Sequence, residues 1–238
     1  MVRCVLVHGL TASPRQVEPI RAVLTRHGHE AVAPLLSGHG TRVEDLFGRS
    51  WREWYRDVLT ACDALPGKVF YVGMSLGALL GLRLAIEQPE RLAGLVCIGT
   101  PLTLFPWMRA FYPILRSPPL SWCVRTWPKR FDLAVADPVG REIYRQSSYA
   151  RFPLTSVREL RRLQSLVRAN LDRIATPLLL MHSPRDYTAP PEAMALIAAR
   201  VRGPVRQIWL DRSLHVATLD YDRDCICEAV LEFFGSLR

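Results

Sequence analysis

Residues 73–77 read Gly-Met-Ser-Leu-Gly, after the apolar run Val69-Phe70-Tyr71-Val72 and before a stretch of helical spacing that continues to Glu87. A serine at the tip of a strand-to-helix turn must take a strained backbone conformation. Glycines two residues before and after it remove the Cβ atoms that would otherwise clash there. The hydroxyl then stands open above the sheet, as a nucleophile requires. The five-residue pattern alone is common and often marks only a flexible turn. Its strand and helix neighbours are what give Ser75 a chemical reading.

A serine hydroxyl attacks only when a base takes its proton, and the base needs a carboxylate to orient it. Both groups should come from loops at the carboxyl ends of later strands. The run 177–181 reads as such a strand, and His182-Ser183-Pro184-Arg185-Asp186 follows it, so Asp186 is the expected acid. Asp211, which ends the next strand, is the rival; Asp220 and Asp222 read as structural caps. Of the six histidines, His215 lies in the loop directly after the strand 206–210, which suits the order serine, acid, histidine. His182 reads as a supporting group, and His27 and His29 as surface residues beside a helix-ending glycine.

A tetrahedral intermediate also needs main-chain N–H donors, one after the nucleophile and one after an early strand. Leu76 and Leu10 occupy those positions, with His8-Gly9 and Gly38-His39-Gly40 shaping the floor. Neither His8 nor His39 has a carboxylate or cysteine at usable spacing beside it, so no metal is expected.

These residues need a scaffold, and its elements can be traced along the chain. Residues 2–7 read as a buried strand, 14–27 as a helix stopped by Gly28, and 30–34 as a short strand. Helix 51–65 opens at Ser50 with Glu53 three residues on, a capping pair. Strand 68–72, a helix to residue 88 and strand 92–98 follow. After the interruption come a helix over 154–174, strand 177–181, a helix near 191–200, strand 206–210 and a helix over about 222–234. This alternation predicts an α/β fold, a mostly parallel sheet with helices on both faces.

The interruption spans residues 102–153 and holds prolines 106, 113, 118, 119, 128 and 138. A structureless loop of that length does not suit a compact domain, and an inserted small cap with short helices explains it better. The expected organisation is a core of residues 1–101 and 154–238 with a cap at 102–153. Trp107, Phe111, Tyr112, Trp122 and Trp127 are too many large aromatics for a solvated excursion, and are candidates to line an acyl pocket. Residues 102–173 carry 13 Arg/Lys against 5 Asp/Glu, which accounts for nearly all of the formal net charge of +9. That is either an ordinary solvated surface or an attraction to acidic substrates and anionic lipid surfaces. No nucleic-acid module accompanies the charge, and no nucleic-acid partner is expected.

With 238 residues, 49% hydrophobic and 22% charged, the chain suits one soluble globular domain. No apolar run is long enough to span a bilayer, and no signal-peptide pattern opens the sequence. The six cysteines are scattered without metal or disulfide spacing, which fits a reduced cytoplasm.

Four stretches resemble the bacterial carboxylesterases and monoacylglycerol lipases of the α/β-hydrolase superfamily. They are LVHGLTASP, APLLSGHGTRVEDLFGRSWREWYRDV, VGMSLGALLGLRLA, and the tail IATPLLLMHSPRDYTAPPEAMALI with WLDRSLHVATLDYDRD. The resemblance covers most of the core but not the cap. It implies cofactor-free hydrolysis of small carboxylic esters, monoacylglycerols among them, through an acyl-enzyme. Its catalytic residues fall on Ser75, Asp186 and His215, and its oxyanion donors on Leu10 and Leu76. The chain departs from the family in reading Met-Ser-Leu at the elbow, in carrying Leu214 where glycine commonly precedes the histidine, and in starting at its first HG strand, which means either a shortened N-terminus with fewer edge strands or a recorded start downstream of the true one.

The same machinery would serve a thioesterase or an acyltransferase, and no residue separates these from an esterase. A catalytically idle ligand receptor is the alternative of another class. Epoxide hydrolysis and haloalkane dehalogenation need an aspartate where Ser75 stands. Acyl preference and oligomeric state are not written in the sequence.

Overall fold

The computed structural model describes residues 1–103 and 125–237. The strands are β1 (Arg3–Val7), β2 (Glu30–Val32), β3 (Val69–Met74), β4 (Leu92–Ile98), β5 (Thr126–Pro128), β6 (Arg151–Pro153), β7 (Leu178–His182) and β8 (Val205–Trp209). The helices are α1 (Glu18–Arg26), α2 (Trp51–Asp63), α3 (Leu76–Glu87), α4 (Pro138–Gln146), α5 (Leu154–Ala169), α6 (Glu192–Ala198) and α7 (Arg223–Ser236). Six strands form one sheet in the order β2-β1-β3-β4-β7-β8, every neighbouring pair parallel. This is the parallel sheet that the alternation of elements predicts, in the α/β-hydrolase arrangement that the resemblance implies.

Strand side chains alternate between faces, and the core divides accordingly. Val5, Val7, Val69, Tyr71, Leu95, Cys97, Leu178 and Leu180 join a cluster with residues of α2, α3, α5 and α6. Their neighbours Cys4, Leu6, Phe70, Val72, Val96, Ile98, Leu179 and Met181 join a second cluster with α1, α4 and α7. The central strands therefore read as continuous apolar runs, because both of their faces are covered.

The strand order also fixes where a site can form. The chain steps from β1 outward to β2, then returns across β1 to lay down β3 on its other side. The loops after β1 and β3 thus leave the sheet in opposite directions and open a crevice between them. The registers Val7↔Gly73, Met74↔Ile98, Ile98↔Met181 and His182↔Trp209 bring the carboxyl ends of these strands to one edge.

Several expected boundaries move for local reasons. The helix expected over 14–27 is a short 3₁₀ turn, Pro14–Gln16, followed by α1 from Glu18. A continuous helix would put Pro19 in its interior, where the ring clashes with a carbonyl one turn back; restarting at Glu18 puts it in the first turn. Helix α5 stops at Ala169 and a 3₁₀ turn covers Leu171–Arg173, so the helix expected to residue 174 is shorter. Strand β2 ends at Val32 rather than at residue 34. The start of α2 follows its capping pair, with Glu53 accepting from the Ser50 N–H at 2.9 Å.

Residues 125–153 hold an antiparallel pair, β5 with β6, and the helix α4. Helix α4 lies so close to the loop before α7 that a Cβ at Gly140 would overlap the Leu219 carbonyl oxygen. Asp220, fully buried just beyond, accepts from the backbone N–H groups of Ala136 (2.8 Å), Asp137 (2.8 Å), Leu214 (2.9 Å) and Tyr221 (2.9 Å). One carboxylate so joins the start of α4 to the residue preceding His215. Gly140→Ala is expected to lower stability by about 1–3 kcal/mol, although alanine is the better helix former by about 1 kcal/mol. Urea unfolding checks the sign: a stabilised variant would mean that α4 shifts freely and the close approach is unimportant.

Candidate active site

Strand β3 ends at Met74 and α3 begins at Leu76, so residue 75 alone makes the turn. Ser75 sits at φ 55, ψ −112, a conformation that costs an L-residue about 1–3 kcal/mol. Its N–H donates to the Ile98 carbonyl at 2.9 Å, and its own carbonyl accepts from Ala78 and Leu79. A Cβ at Gly73 would overlap the Gly77 backbone, and one at Gly77 would overlap the Val7 carbonyl. Both glycines are needed for contact, not flexibility. The buried Tyr71 hydroxyl adds a tie from below, donating to the Gly77 carbonyl at 2.8 Å.

Three side chains from three loops meet above this turn. Ser75 Oγ lies 3.1 Å from His215 Nε2, and His215 Nδ1 lies 2.7 Å from Asp186 Oδ2. Asp186 follows β7 and His215 follows β8, as expected. With Nδ1–H donated to the carboxylate, Nε2 is left to accept from the serine hydroxyl. Asp186 is almost fully buried, and four donors surround it. Thr188 and Ala189 N–H groups reach Oδ1 at 2.7 and 2.8 Å, while His182 Nε2 reaches Oδ2 at 3.2 Å beside His215. Burial by itself would raise this carboxyl's pKa. The charge of His215 and the hydrogen bonds from His182 and His215 outweigh it and hold the group well below the ordinary carboxylate range. The rival Asp211 is exposed, and His215 is turned to Asp186 instead. Asp222 accepts from the Arg212 N–H, a structural contact.

The turn after β1 is fixed at almost every polar atom. Gly9 N–H donates to Gln16 Oε1 at 2.6 Å. Gly9 O accepts from His8 Nδ1–H at 2.9 Å and from Ala12 N–H at 3.2 Å. Thr11 is at φ 67, the left-handed region that β-branched residues avoid, with its hydroxyl on the Leu10 carbonyl at 2.5 Å. Because Gly9 O is held on the protein side, the Leu10 N–H of the same trans peptide points the opposite way. The N–H groups of Leu10 and Leu76 find no acceptor among the described residues. For Leu76 that is the ordinary state of a helix's first N–H.

His8 and His39 are fully buried below this turn, 5.0 Å apart between ring centroids. Leu36 N–H donates to His8 Nε2, so the ring is neutral with its proton on Nδ1. His39 Nδ1 donates to the Ser37 carbonyl. Among the described residues, no group of three or more His, Cys, Asp or Glu side chains is arranged to hold a metal ion.

Of the expected pocket aromatics, Trp107, Phe111, Tyr112 and Trp122 lie outside the described residues. Trp127 stands on β5 opposite Phe152 and is 45% exposed. Gln16, Tyr149 and Lys129 support the site's loops without having been expected to, and Asp220 does so as the structural residue its position suggests. Lys129 and Lys68 are the only lysines among 31 basic residues, the one signal that could have drawn attention to Lys129. No helix among the described residues is long and apolar enough to cross a membrane.

Burial pushes the His8 pKa down to about 4, and burial together with His8 pushes that of His39 to about 3. In the unfolded chain both titrate near 6.5. Between about pH 6.5 and pH 4 the unfolded chain therefore binds protons that the folded one refuses, and stability falls as pH drops through that window. The expected loss by pH 4 is about 3 kcal/mol per histidine. Asp186 acts lower, below about pH 4, where protonation removes the stability its depressed pKa contributes. Urea unfolding at pH 7, 5 and 4 should show the decline, shallower in His39→Gln. A flat profile would mean that these rings accept protons while folded.

Comparison with known proteins identifies the family and the fold. The model of the family described as serine aminopeptidase, S33 (Hydrolase_4), matches residues 2–222. A thermostable monoacylglycerol lipase from Bacillus sp. strain H-257 is 30% identical over 98% of this chain and 90% of its own length. A carboxylesterase from Bacillus subtilis strain 168 is 25% identical over 98% of this chain and 92% of its own. Among solved structures, one from work on the metagenome-derived lipolytic enzymes LipS and LipT superposes with a TM-score of 0.89 at 27% identity, covering 99% of this chain and 94% of that one.

Proposed function

The chain belongs to the serine aminopeptidase S33 family of α/β-hydrolases, and we propose that it is a serine carboxylic-ester hydrolase acting through an acyl-enzyme on short- to medium-chain esters, monoacylglycerols among them. The observation that carries the reading is the hydrogen-bonded line Ser75 Oγ, His215 Nε2, His215 Nδ1, Asp186 Oδ2, with steps of 3.1 and 2.7 Å. The monoacylglycerol lipase and carboxylesterase relatives support the ester class.

In this reading His215 takes the Ser75 proton as the oxygen attacks the ester carbonyl. The oxyanion forms between the Leu10 and Leu76 N–H groups, the second at the positive end of α3. The intermediate collapses as His215 returns the proton to the leaving alcohol, and a water repeats the cycle on the acyl-serine. Asp186 keeps the His215 tautomer and balances its charge.

The family description points to peptides with a free amino terminus as a second substrate class. Recognition of an ammonium group calls for carboxylates near the site, whereas residues 102–173 are strongly basic. That balance favours neutral or acidic esters. Residues 102–153 are read as a cap, supported by the way Tyr149 and Lys129 reach back to Gly38 and Thr11.

Ser75→Ala should fold as the parent does and lose roughly a thousandfold or more of p-nitrophenyl ester hydrolysis. An alanine variant with parental turnover on esters and thioesters would remove the nucleophile and the reading with it.

Asp186→Asn should lower kcat by a factor on the order of thousands at little change in KM, because the asparagine favours the wrong His215 tautomer. Asp211→Asn should be nearly silent. Steady-state kinetics on both variants tests the assignment, and the reverse ranking would move the acid to Asp211.

A further inference from the structure

Lys129 lies just past β5 with its ammonium end in the interior. Its Nζ donates to Thr11 Oγ1 at 2.6 Å and to the Tyr144 hydroxyl at 3.1 Å. The rings of Phe131, Tyr144 and Phe152 face it at 4.6–5.4 Å. Among the described residues no carboxylate hydrogen-bonds it. A buried lysine without a counter-charge is costly to keep, so its contacts should serve something.

Those contacts lead to one place. Thr11 Oγ1 accepts from Lys129 and donates to the Leu10 carbonyl at 2.5 Å. The threonine hydroxyl has one proton; with Lys129 on its lone pair, that proton is directed to Leu10 O. On the other side Tyr149, from the same stretch of chain as Lys129, donates its N–H to the Thr11 carbonyl at 2.8 Å. The left-handed Thr11 is thus held from 118 and 138 residues away along the chain, at its side chain and at its backbone.

We propose that Lys129 is the positioning residue of the oxyanion turn: by holding Thr11 Oγ1 on the Leu10 carbonyl it fixes the Leu10–Thr11 peptide, and through the Leu10 backbone between them the adjoining Gly9–Leu10 peptide, whose N–H is aimed at the reacting carbonyl. The inference rests on the reading of Leu10 as an oxyanion donor. Lysine suits the position because burial, which pushes its pKa well below the ordinary value, can discharge an amine, whereas a guanidinium stays charged. Elsewhere the chain uses arginine at every basic position but Lys68.

The test uses paired oxo and thiono esters of the same acid. The sulfur of a thionoester accepts hydrogen bonds poorly, so the ratio of the two turnover rates reports the alignment of the N–H donors. Lys129→Met should lower kcat on the oxo ester roughly tenfold to a hundredfold with KM within about twofold, and should shrink the oxo/thiono ratio by a similar factor. Thr11→Val, which leaves Lys129 in place, should do the same and carries the test if Lys129→Met fails to fold. The double variant should be no worse than either single one, because the two groups act through one contact. An unchanged ratio in both single variants, or equal loss on oxo and thiono esters, overturns the proposal. Replacing the Gly9–Leu10 peptide bond by an ester, which deletes the Leu10 N–H, separates the two claims. A parental ratio there refutes Leu10 as a donor; a reduced ratio there with an unchanged ratio in Lys129→Met refutes Lys129 alone.

Discussion

Helix α3 begins one residue after β3 ends, and this turn closes only because Gly77 lets the helix rest against the Val7 carbonyl of the neighbouring strand. The rest of the site follows from that contact. It forces Ser75 into a strained conformation, points its hydroxyl away from the sheet, and leaves the first N–H of α3 beside it without an acceptor among the described residues. The same contact sets the loop after β1 directly across from the serine. Strain at one residue, sustained by packing on both faces of the sheet, presents together the hydroxyl and the N–H that the proposed chemistry uses as nucleophile and donor.

The second organising feature is how the structure handles charge in a dry interior. Asp186 is held ionised by four donors, two of them backbone groups that cannot move independently of its loop. His182 shares the same carboxylate oxygen as His215, so the acid's position does not depend on His215 alone. Asp220 is treated likewise, with four main-chain donors and no cationic side chain among them. These two carboxylates brace the loop of His215 from opposite ends, one at its ring and one at the preceding N–H. By contrast His8 and His39 are kept neutral, which removes charge from the floor beneath the serine.

What the sequence discloses follows from how local each interaction is. Ser75 and Asp186 each come within a few residues of a strand whose continuous apolar run is unmistakable, and His215 follows the mixed strand Val205–Trp209 at the end of the same strand–helix alternation, so their places in a parallel sheet can be inferred. A mostly parallel sheet and most helices are legible for the same reason. Strands β5 and β6 are three residues each, too short to show any period. The split near Pro19 was open to a reading of proline geometry that the apolar spacing of residues 14–27 obscures. Gln16, Lys129 and Tyr149 escape notice because their partners are backbone atoms or hydroxyls, and for the last two these lie far along the chain; Asp220 reads as a cap, but its reach to Ala136 and Asp137 is hidden for the same reason. No spacing rule records such contacts.

The strand order sets a further demand. A crevice at a strand-order reversal places the two N–H groups proposed as oxyanion donors on different loops, one after β1 and one after β3, which no single element can align. The β3 side is rigid because α3 is packed between the sheet and α5. The β1 side is a turn of small and polar residues with a β-branched residue at positive φ, and such a turn keeps its shape only where its surroundings over-determine it. Gln16, His8, Lys129 and Tyr149 supply that excess from three parts of the chain. Two of the four belong to residues 125–153, so whatever moves that segment also moves the turn after β1. Contact between residues 125–153 and the crevice therefore answers a demand of the topology: the turn after β1, which the sheet cannot hold, is held from outside it.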